Sequence, residues 1–292
     1  MNSTSHNPFH RLLALQILGV FCFLFGLPAC AASPLQEGDD IVGAGAHFSW
    51  IIFNKLKPEL EQMSGRKISL YGKNSMLGQG CNAGIKTAKL SNDKRDTFGF
   101  VCCALSDEEI KKNNLIVYPI AHEPVLILLN KSNPVQDLSK QQVRDIFSGK
   151  ITNWKNVGGK NQPIVVVTRL HCKKRPGHWK RILPEADRFR ADRINVKSAD
   201  EMSQRVNDFP GAIGHIGSTW IFEAGDKTKS ITVDGIKPTA DNIKQGHYPF
   251  YRKLSAVTTT NPNPDVVRII RETQTGPAFR QLARQFELLP LN

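Results

Sequence analysis

Two hydrophobic periods alternate along this chain. Short apolar runs predict buried strands, and amphipathic stretches between them predict helices. The segment "IVGAGAHFSWIIFNKLKPELEQMSG" (41–65) reads as a strand into Gly43-Ala44-Gly45, a loop, and a helix from about Ser49 as N-cap. Ile52, Leu56, Leu60 and Met63 share its apolar face, and Gly65 ends it. "KISLYG" is a strand, and "NSMLGQGCNAGIKTAKL" is a Gly-rich turn entering a helix. "TFGFVCCAL" is a buried strand, followed by a helix with Ser106 and Glu109 as a capping box. "LIVYPIAHEPVLILLNK" predicts two strands broken at Pro119 and Pro124.

Further on, "SKQQVRDIFSG" is an amphipathic helix, "KITNWKNVGG" a turn and "PIVVVT" a strand. "PGAIGHIG" is a short strand, "YRKLSAVTTT" is extended, and 265–286 holds one or two helices. Strands that alternate with helices point to an α/β fold with mainly parallel sheets. Strand, Gly-rich turn and helix start recur at 43–50 and 78–86, a pattern that suits anion binding as well as plain packing.

Composition changes the picture at the N-terminus. Arg11 precedes "LLALQILGVFCFLFGLPACAA", which reads as a secretory signal peptide over 1–31, cleaved after Ala31. A membrane anchor and a lipoprotein attached through Cys30 are the lesser readings, and the expected location is the periplasm. Cleavage removes Arg11 alone among charged residues, so the net charge falls only from +13 to +12. A basic exported chain points to an anionic partner rather than nucleic acid. Cys81, Cys102, Cys103 and Cys172 remain after cleavage, and an oxidising compartment favours disulfides.

The segment "VVVTRLHCKKRPGHW" (165–179) carries the densest chemistry: a strand, then Arg169, His171, Cys172, Lys173, Lys174 and Arg175. Trp154 and His215 read as packing residues. Trp50 and Trp179 either line or fill a cleft, and Lys111 and Lys112 form a solvated helix face.

"DIFSGKITNWKNVGG" (145–159) resembles the signature of the phosphate-binding proteins of ABC transporters. "GAGAHFS", "GQGCNAGIK", "FGFVCCALSDEEI", "PGAIGH" and "YPFYRKLSAV" resemble further segments of that family in the same order. The resemblance implies a type II periplasmic binding protein fold, with two α/β lobes joined by hinge strands near "PIAHEPV" and "YRKLSAV". Lobe 1 would be 33–120 plus 257–292, and lobe 2 would be 121–256. It further implies a binding protein rather than an enzyme. That protein would be a monomer without cofactor, holding a phosphate-like anion in the cleft and serving an ABC permease of the inner membrane.

Carried over position by position, the family's ligand loops fall on His47 and Phe48, on Asn82 beside Cys81, on Cys102, on Arg169, and on 172–175 with His171 beside them. Cys102 stands where the family has an Asp that accepts the phosphate proton. Cys172, Lys173, Lys174 and Arg175 replace a Gly-Ser-Gly-Thr turn. The scaffold thus matches while much of the ligand shell differs. If the fold holds, Cys81, Cys102 and Cys172 meet in one cleft with His47 and His171. Three readings then stay open: a disulfide, most simply Cys81–Cys102; a metal site of His47, Cys81, Cys102, His171 and Cys172 suited to zinc or copper; and a reactive Cys172. The alternative function is accordingly an envelope protein using those residues for metal or redox chemistry.

Overall fold

In the computed structural model, residues 41–71, 80–92, 95–223 and 228–291 are described. The leader at 1–31, Cys30, and most of the Gly-rich turn before Cys81 lie outside them. β1 (Ile41–Gly45) runs into α1 (His47–Ser64), β2 (Ile68–Tyr71), α2 (Cys81–Ala88), β3 (Asp96–Val101) and α3 (Asp107–Asn113). Then follow β4 (Leu115–Asn130), β5 (Asp137–Leu138), α4 (Lys140–Ser148), β6 (Val165–Thr168), β7 (Ile194–Asn195), α5 (Ala199–Asp208) and β8 (Ala212–Gly217). The chain closes with β9 (Thr228–Ser230), β10 (Thr232–Val233), α6 (Ala240–Lys244), β11 (Tyr251–Thr259), α7 (Pro264–Thr275), α8 (Pro277–Gln285) and β12 (Leu289–Pro290).

The strand order β2-β1-β3-β11-β4-β8-β6-β7 is parallel at both ends and antiparallel in the middle. β4 joins the two parts. Its first half, from Leu115 to Pro124, pairs with β11, and Val125–Leu129 then pairs with β8. One apolar cluster centres on Ile52, Phe53, Phe98 and Phe100, and a second on Phe147, Trp154, Trp179 and Ile213.

β4 is one strand of sixteen residues, where the sequence predicts two. Proline blocks a strand only where its missing N–H is needed. Here the ladder with β11 shifts register between Leu254 and Ser255, opposite Pro119 and Ala121, so the irregularity sits next to Pro119. Ser49 is likewise not the cap of α1. The helix starts two residues earlier behind Ala46, which offers no side-chain cap, and Ser49 lies buried in the first turn. Gly65 does end that helix, at φ 67°, with its N–H on the Glu61 carbonyl. The Ser106–Glu109 capping box is present, and Ser139–Gln142 forms another. Residues 265–286 make two helices, because Gly276 and Pro277 restart the chain.

Glycines set how closely α2 lies on the sheet. A Cβ on Gly99 would stand 2.0 Å from the Gly84 carbonyl oxygen, and one on Gly84 would stand 2.3 Å from that of Phe100. This contact holds Cys81, at the start of α2, over the end of β3.

Candidate functional site

Three antiparallel pairings separate β3 from β6, so β6 runs opposite to β1 and β3, and the loops that carry the predicted site residues leave strand ends that point toward each other. β1 hands over to the start of α1, and the Ala46 N–H bonds the Phe100 carbonyl at 2.9 Å. α2 starts beside it, with the Gly80 N–H 3.0 Å from the Gly45 carbonyl. Helices α3 to α7 each carry a Ser, Thr or Asn side-chain cap: Ser106, Ser139, Ser198, Thr239 and Asn263. α1 and α2, like α8, have neither a side-chain cap nor an acidic residue in the first turn. Their N–H groups and positive dipole ends are therefore uncompensated by side chains.

Beyond β3 and β6, four thiols converge. The Cys81 and Cys102 sulfurs are 3.8 Å apart, Cys102 and Cys103 3.9 Å, and Cys81 and Cys172 3.9 Å. Cys81, Cys103 and Cys172 lie mutually within 4.8 Å. The Cys102 N–H points at the Cys81 sulfur, 3.3 Å away. All four cysteines are free, so no Cys81–Cys102 disulfide is present. His171 Nε2 stands 3.7 Å from the Cys103 sulfur and 3.9 Å from that of Cys102. His47 joins neither group of converging donors; its ring packs edge-on against Trp220 at 4.0 Å.

Cys103 is the member that sequence reasoning missed. β3 ends at Val101, so Cys102 and Cys103 sit in a bend, and strand alternation no longer sends them to opposite faces. The adjacent pair of cysteines at a strand end was the available signal. Hydrogen bonds from Cys103, then Cys81, pull the Cys172 thiol down to about 4, with Arg175 acting in the same direction. Contacts with Cys102, Cys172 and Cys81 push Cys103 well up. Cys102 and then Cys103 lower the Cys81 thiol too, so Cys81 and Cys172 are the members of the cluster that favour the thiolate.

The loop after β6 is anchored at several points. Arg169 is half-buried and donates from Nε to the Lys197 carbonyl at 3.0 Å. Burial holds its pKa below the usual arginine value. The His171 carbonyl accepts from Trp179 Nε1 at 2.6 Å, so Trp179 supports the loop from the core. Arg175 pairs with Glu109 at 2.8 Å and donates to Asn82 Oδ1 at 2.9 Å, so its charge is committed to α3 and α2. Lys173 and Lys174 are exposed on the turn between them. Lys111 and Lys112 are exposed as well, and Trp50 bonds the Leu70 carbonyl. Trp154 is buried, its Nε1 on the Gly211 carbonyl at 2.9 Å.

Beside the thiols lies a buried polar network that the sequence did not announce. Glu123 on β4 faces Arg252 on β11 directly across the ladder, and the two form an ion pair. Glu123 Oε1 also accepts from the Thr219 N–H at 3.0 Å and its hydroxyl at 2.6 Å. The Arg252 guanidinium lies over the Phe48 ring, 3.3 Å from its centroid, so the Phe48 side chain serves packing and cation–π contact. Arg252 Nη1 meets His178 Nδ1 at 3.2 Å, and His178 Nε2 meets His215 Nδ1 at 3.0 Å. Arginine only donates, so His178 Nδ1 accepts and its proton sits on Nε2. Burial, reinforced by Arg252, holds His178 neutral. A cavity of about 290 Å³ opens between the network and the thiol loop, lined by Ala104, Pro176, Arg181, Tyr251 and Arg252 among others.

Among proteins of known kind, the phosphate-binding protein PstS of Bacillus subtilis is 33% identical over 145 residues, 49% of this chain and 47% of that protein. The match thus spans about half the length of that relative. PstS of Borreliella burgdorferi is 26% identical over 238 residues, 76% of this chain and 80% of its own. A solved structure of a putative phosphate ABC transporter substrate-binding protein from Clostridium perfringens superposes with a TM-score of 0.71 at 24% identity, over 87% of this chain and 100% of that one. An ABC-type phosphate transport receptor from Vibrio cholerae gives 0.63 at 24% identity, over 86% and 100%. These likenesses show an α/β fold of the type II binding-protein kind. The family model described as the PBP superfamily domain matches residues 75–286. Because that match runs from before α2 to the end of α8, the chain belongs to the PBP superfamily.

Proposed function

We propose that this chain is an exported, monomeric solute-binding protein that captures phosphate or a related oxyanion and presents it to an ABC importer of the inner membrane. It binds and does not catalyse. Its two lobes are 33–120 with 257–292, and 121–256; β4 and β11 cross between them, and the ligand sits where they meet. The location is the periplasm, reached through the leader at 1–31.

The observation that carries this reading is the pair of uncapped helix starts, α1 and α2, beside the end of β3, where Arg169 acts electrostatically on Cys102 from the loop after β6. The Ser49 hydroxyl in the first turn of α1 is buried and has no hydrogen-bond partner. Amide groups at a helix start and a guanidinium recognise tetrahedral oxyanions through short charge-assisted bonds. The relatives named above are phosphate-binding proteins, which supports the choice of anion. Cys102, where the family resemblance has a proton-accepting Asp, removes the carboxylate that would separate hydrogen phosphate from sulfate. Comparable binding of the two anions is therefore expected.

Calorimetric titration with phosphate and with sulfate tests the reading. Arg169→Ala should weaken anion binding at least tenfold, the loss of a charge-assisted hydrogen bond of about 1.5–3 kcal/mol. Unchanged affinity in that variant removes Arg169 from the site. No uptake of either anion by the unmodified protein overturns the oxyanion reading.

A further inference from the structure

The thiol cluster has a geometry that anion capture does not require. We propose that Cys81, Cys103 and Cys172 form a centre for a thiophilic d10 metal ion, zinc(II) by fit, with the fourth donor supplied from the adjoining Cys102–His171 pair. This goes beyond the anion reading and does not depend on it.

The spacing is the first reason. Zinc bonds to thiolate sulfur at about 2.3 Å in a tetrahedron, so the sulfurs around it stand about 3.8 Å apart. Three of the six sulfur pairs stand at 3.8, 3.9 and 3.9 Å, the Cys81, Cys103 and Cys172 sulfurs fall within 4.8 Å of one another, and Cys102 groups at that spacing with Cys103 and His171 Nε2. Disulfide sulfurs would stand about 2.05 Å apart.

The second reason is the way Cys172 is held. It has φ 51°, the left-handed region that a residue with a Cβ rarely adopts. Its own carbonyl then closes a turn by accepting from the Arg175 N–H at 2.9 Å. That conformation is kept in place by Trp179 on the His171 carbonyl and by Arg175 on Glu109 and Asn82. The strained residue is the one that brings a sulfur 3.9 Å from Cys81, which lies 91 positions away in the chain.

The third reason is the balance of charge and contact. Thiols are weak hydrogen-bond partners, so four of them facing one another gain little from their mutual contacts. As metal ligands they are deprotonated. Three thiolates and one zinc ion leave a net charge of −1, and a fourth thiolate would make it −2. Arg169 acts electrostatically on Cys102, Cys103 and Cys172 and stands against it, while Arg175, which also acts on Cys81 and Cys172, shares its charge with Glu109. Three of the sulfurs are buried and Cys172 is half-buried, which closes the site to a catalytic water but leaves a route for loading. The bound ion would tie the loop after β6 to α2 and to the end of β3, and it would protect the thiols from oxidation outside the cytoplasm.

The test uses the full chain, recovered from an oxidising compartment without reductant. Native mass spectrometry and elemental analysis count zinc, and alkylation under denaturing conditions counts free thiols. One zinc per chain is expected, with thiols that react only after a chelator is added. Cys103→Ser should lower zinc content at least tenfold. Because that variant could misfold, cobalt(II) exchange into the unmodified protein provides a second readout. Tetrahedral thiolate coordination gives intense charge-transfer and ligand-field bands, which octahedral aquo-cobalt lacks. A protein that holds no metal when zinc is added, that carries a disulfide between any two of the four cysteines, or that gives only weak cobalt bands overturns the centre. Phosphate titration of the same samples separates the two claims. Zinc without phosphate uptake defeats the anion reading alone, and phosphate uptake without zinc defeats the metal centre alone.

Discussion

Two polar clusters adjoin in this molecule through the rings of His171 and His178, whose centroids are 4.7 Å apart. They are built on opposite rules. In the Glu123–Arg252 network hard charges meet hard partners: carboxylate to guanidinium, Thr219 to carboxylate, guanidinium to imidazole, imidazole to imidazole. In the thiol cluster, soft donors stand near one another at 3.8–3.9 Å and return little energy to the fold. A buried network of this kind holds a structure in register, although here His215 Nε2 is left without a hydrogen-bond partner. A cluster of good ligands with poor mutual bonds is instead poised for something that is not part of the chain. The same depth of burial therefore goes with strong mutual bonds in one cluster and weak mutual contacts in the other.

The comparison breaks most readily at Glu123. Glu123→Ala leaves Arg252 buried without its partner and should cost about 3–5 kcal/mol in urea unfolding. A loss below about 1 kcal/mol would place the pair among dispensable contacts.

Next is acid. His215 is pushed down to about 3 from 6.5 by burial, helped by the charges of His171, Arg169 and Arg252. Burial and Arg252 also push His178 well down. The folded state therefore excludes protons that the unfolded chain accepts below about 6.5. Stability is present in full above that pH and falls as pH drops toward 3. Thermal melts across this range should show that slope, and His215→Phe should flatten it. A melt indifferent to pH between 4 and 7, on the order of the window these shifts define, would mean the imidazoles are not held neutral.

Gly99→Ala should be smaller, about 1–3 kcal/mol, because a Cβ 2.0 Å from the Gly84 oxygen forces α2 off the sheet. It moves Cys81 away from Cys102, so cysteine alkylation should quicken along with the loss of stability. Faster alkylation without destabilisation would mean that α2 can shift freely.

Glu109→Gln should cost least, at most about 1 kcal/mol, since the pair with Arg175 is only partly buried. Yet it loosens the turn that carries Cys172. Alkylation of Cys172 in metal-free protein should therefore rise severalfold while the melt scarcely moves. An unchanged alkylation rate would show that Trp179 alone holds the turn.

Much of the scaffold was legible in the chain. The Gly65 stop, the Ser106–Glu109 capping box, the α4 face and the run 145–159 are local signals, and each lies within one turn or one short motif. Where local reading failed, a distant contact had decided the outcome. Ser49 looks like a cap, but the Ala46 N–H on the Phe100 carbonyl starts α1 earlier. Pro119 and Pro124 look like breaks, but β11 absorbs the first in a register shift. Arg175 reads as a free cation until Glu109, 66 positions away, takes its charge. His47 reads as a donor until Trp220 takes its ring.

By itself the sequence determined the α/β alternation, most helix ends, the order of the ligand loops and the cysteine content. All of these depend on neighbours a few residues apart. Only the tertiary structure decided that Cys81, Cys102, Cys103 and Cys172 come close together and that Glu123 meets Arg252. Those arrangements depend on strand ends and cross-strand register, which bring together residues 21, 91 and 129 positions apart. No local period encodes separations of that length; the sheet does.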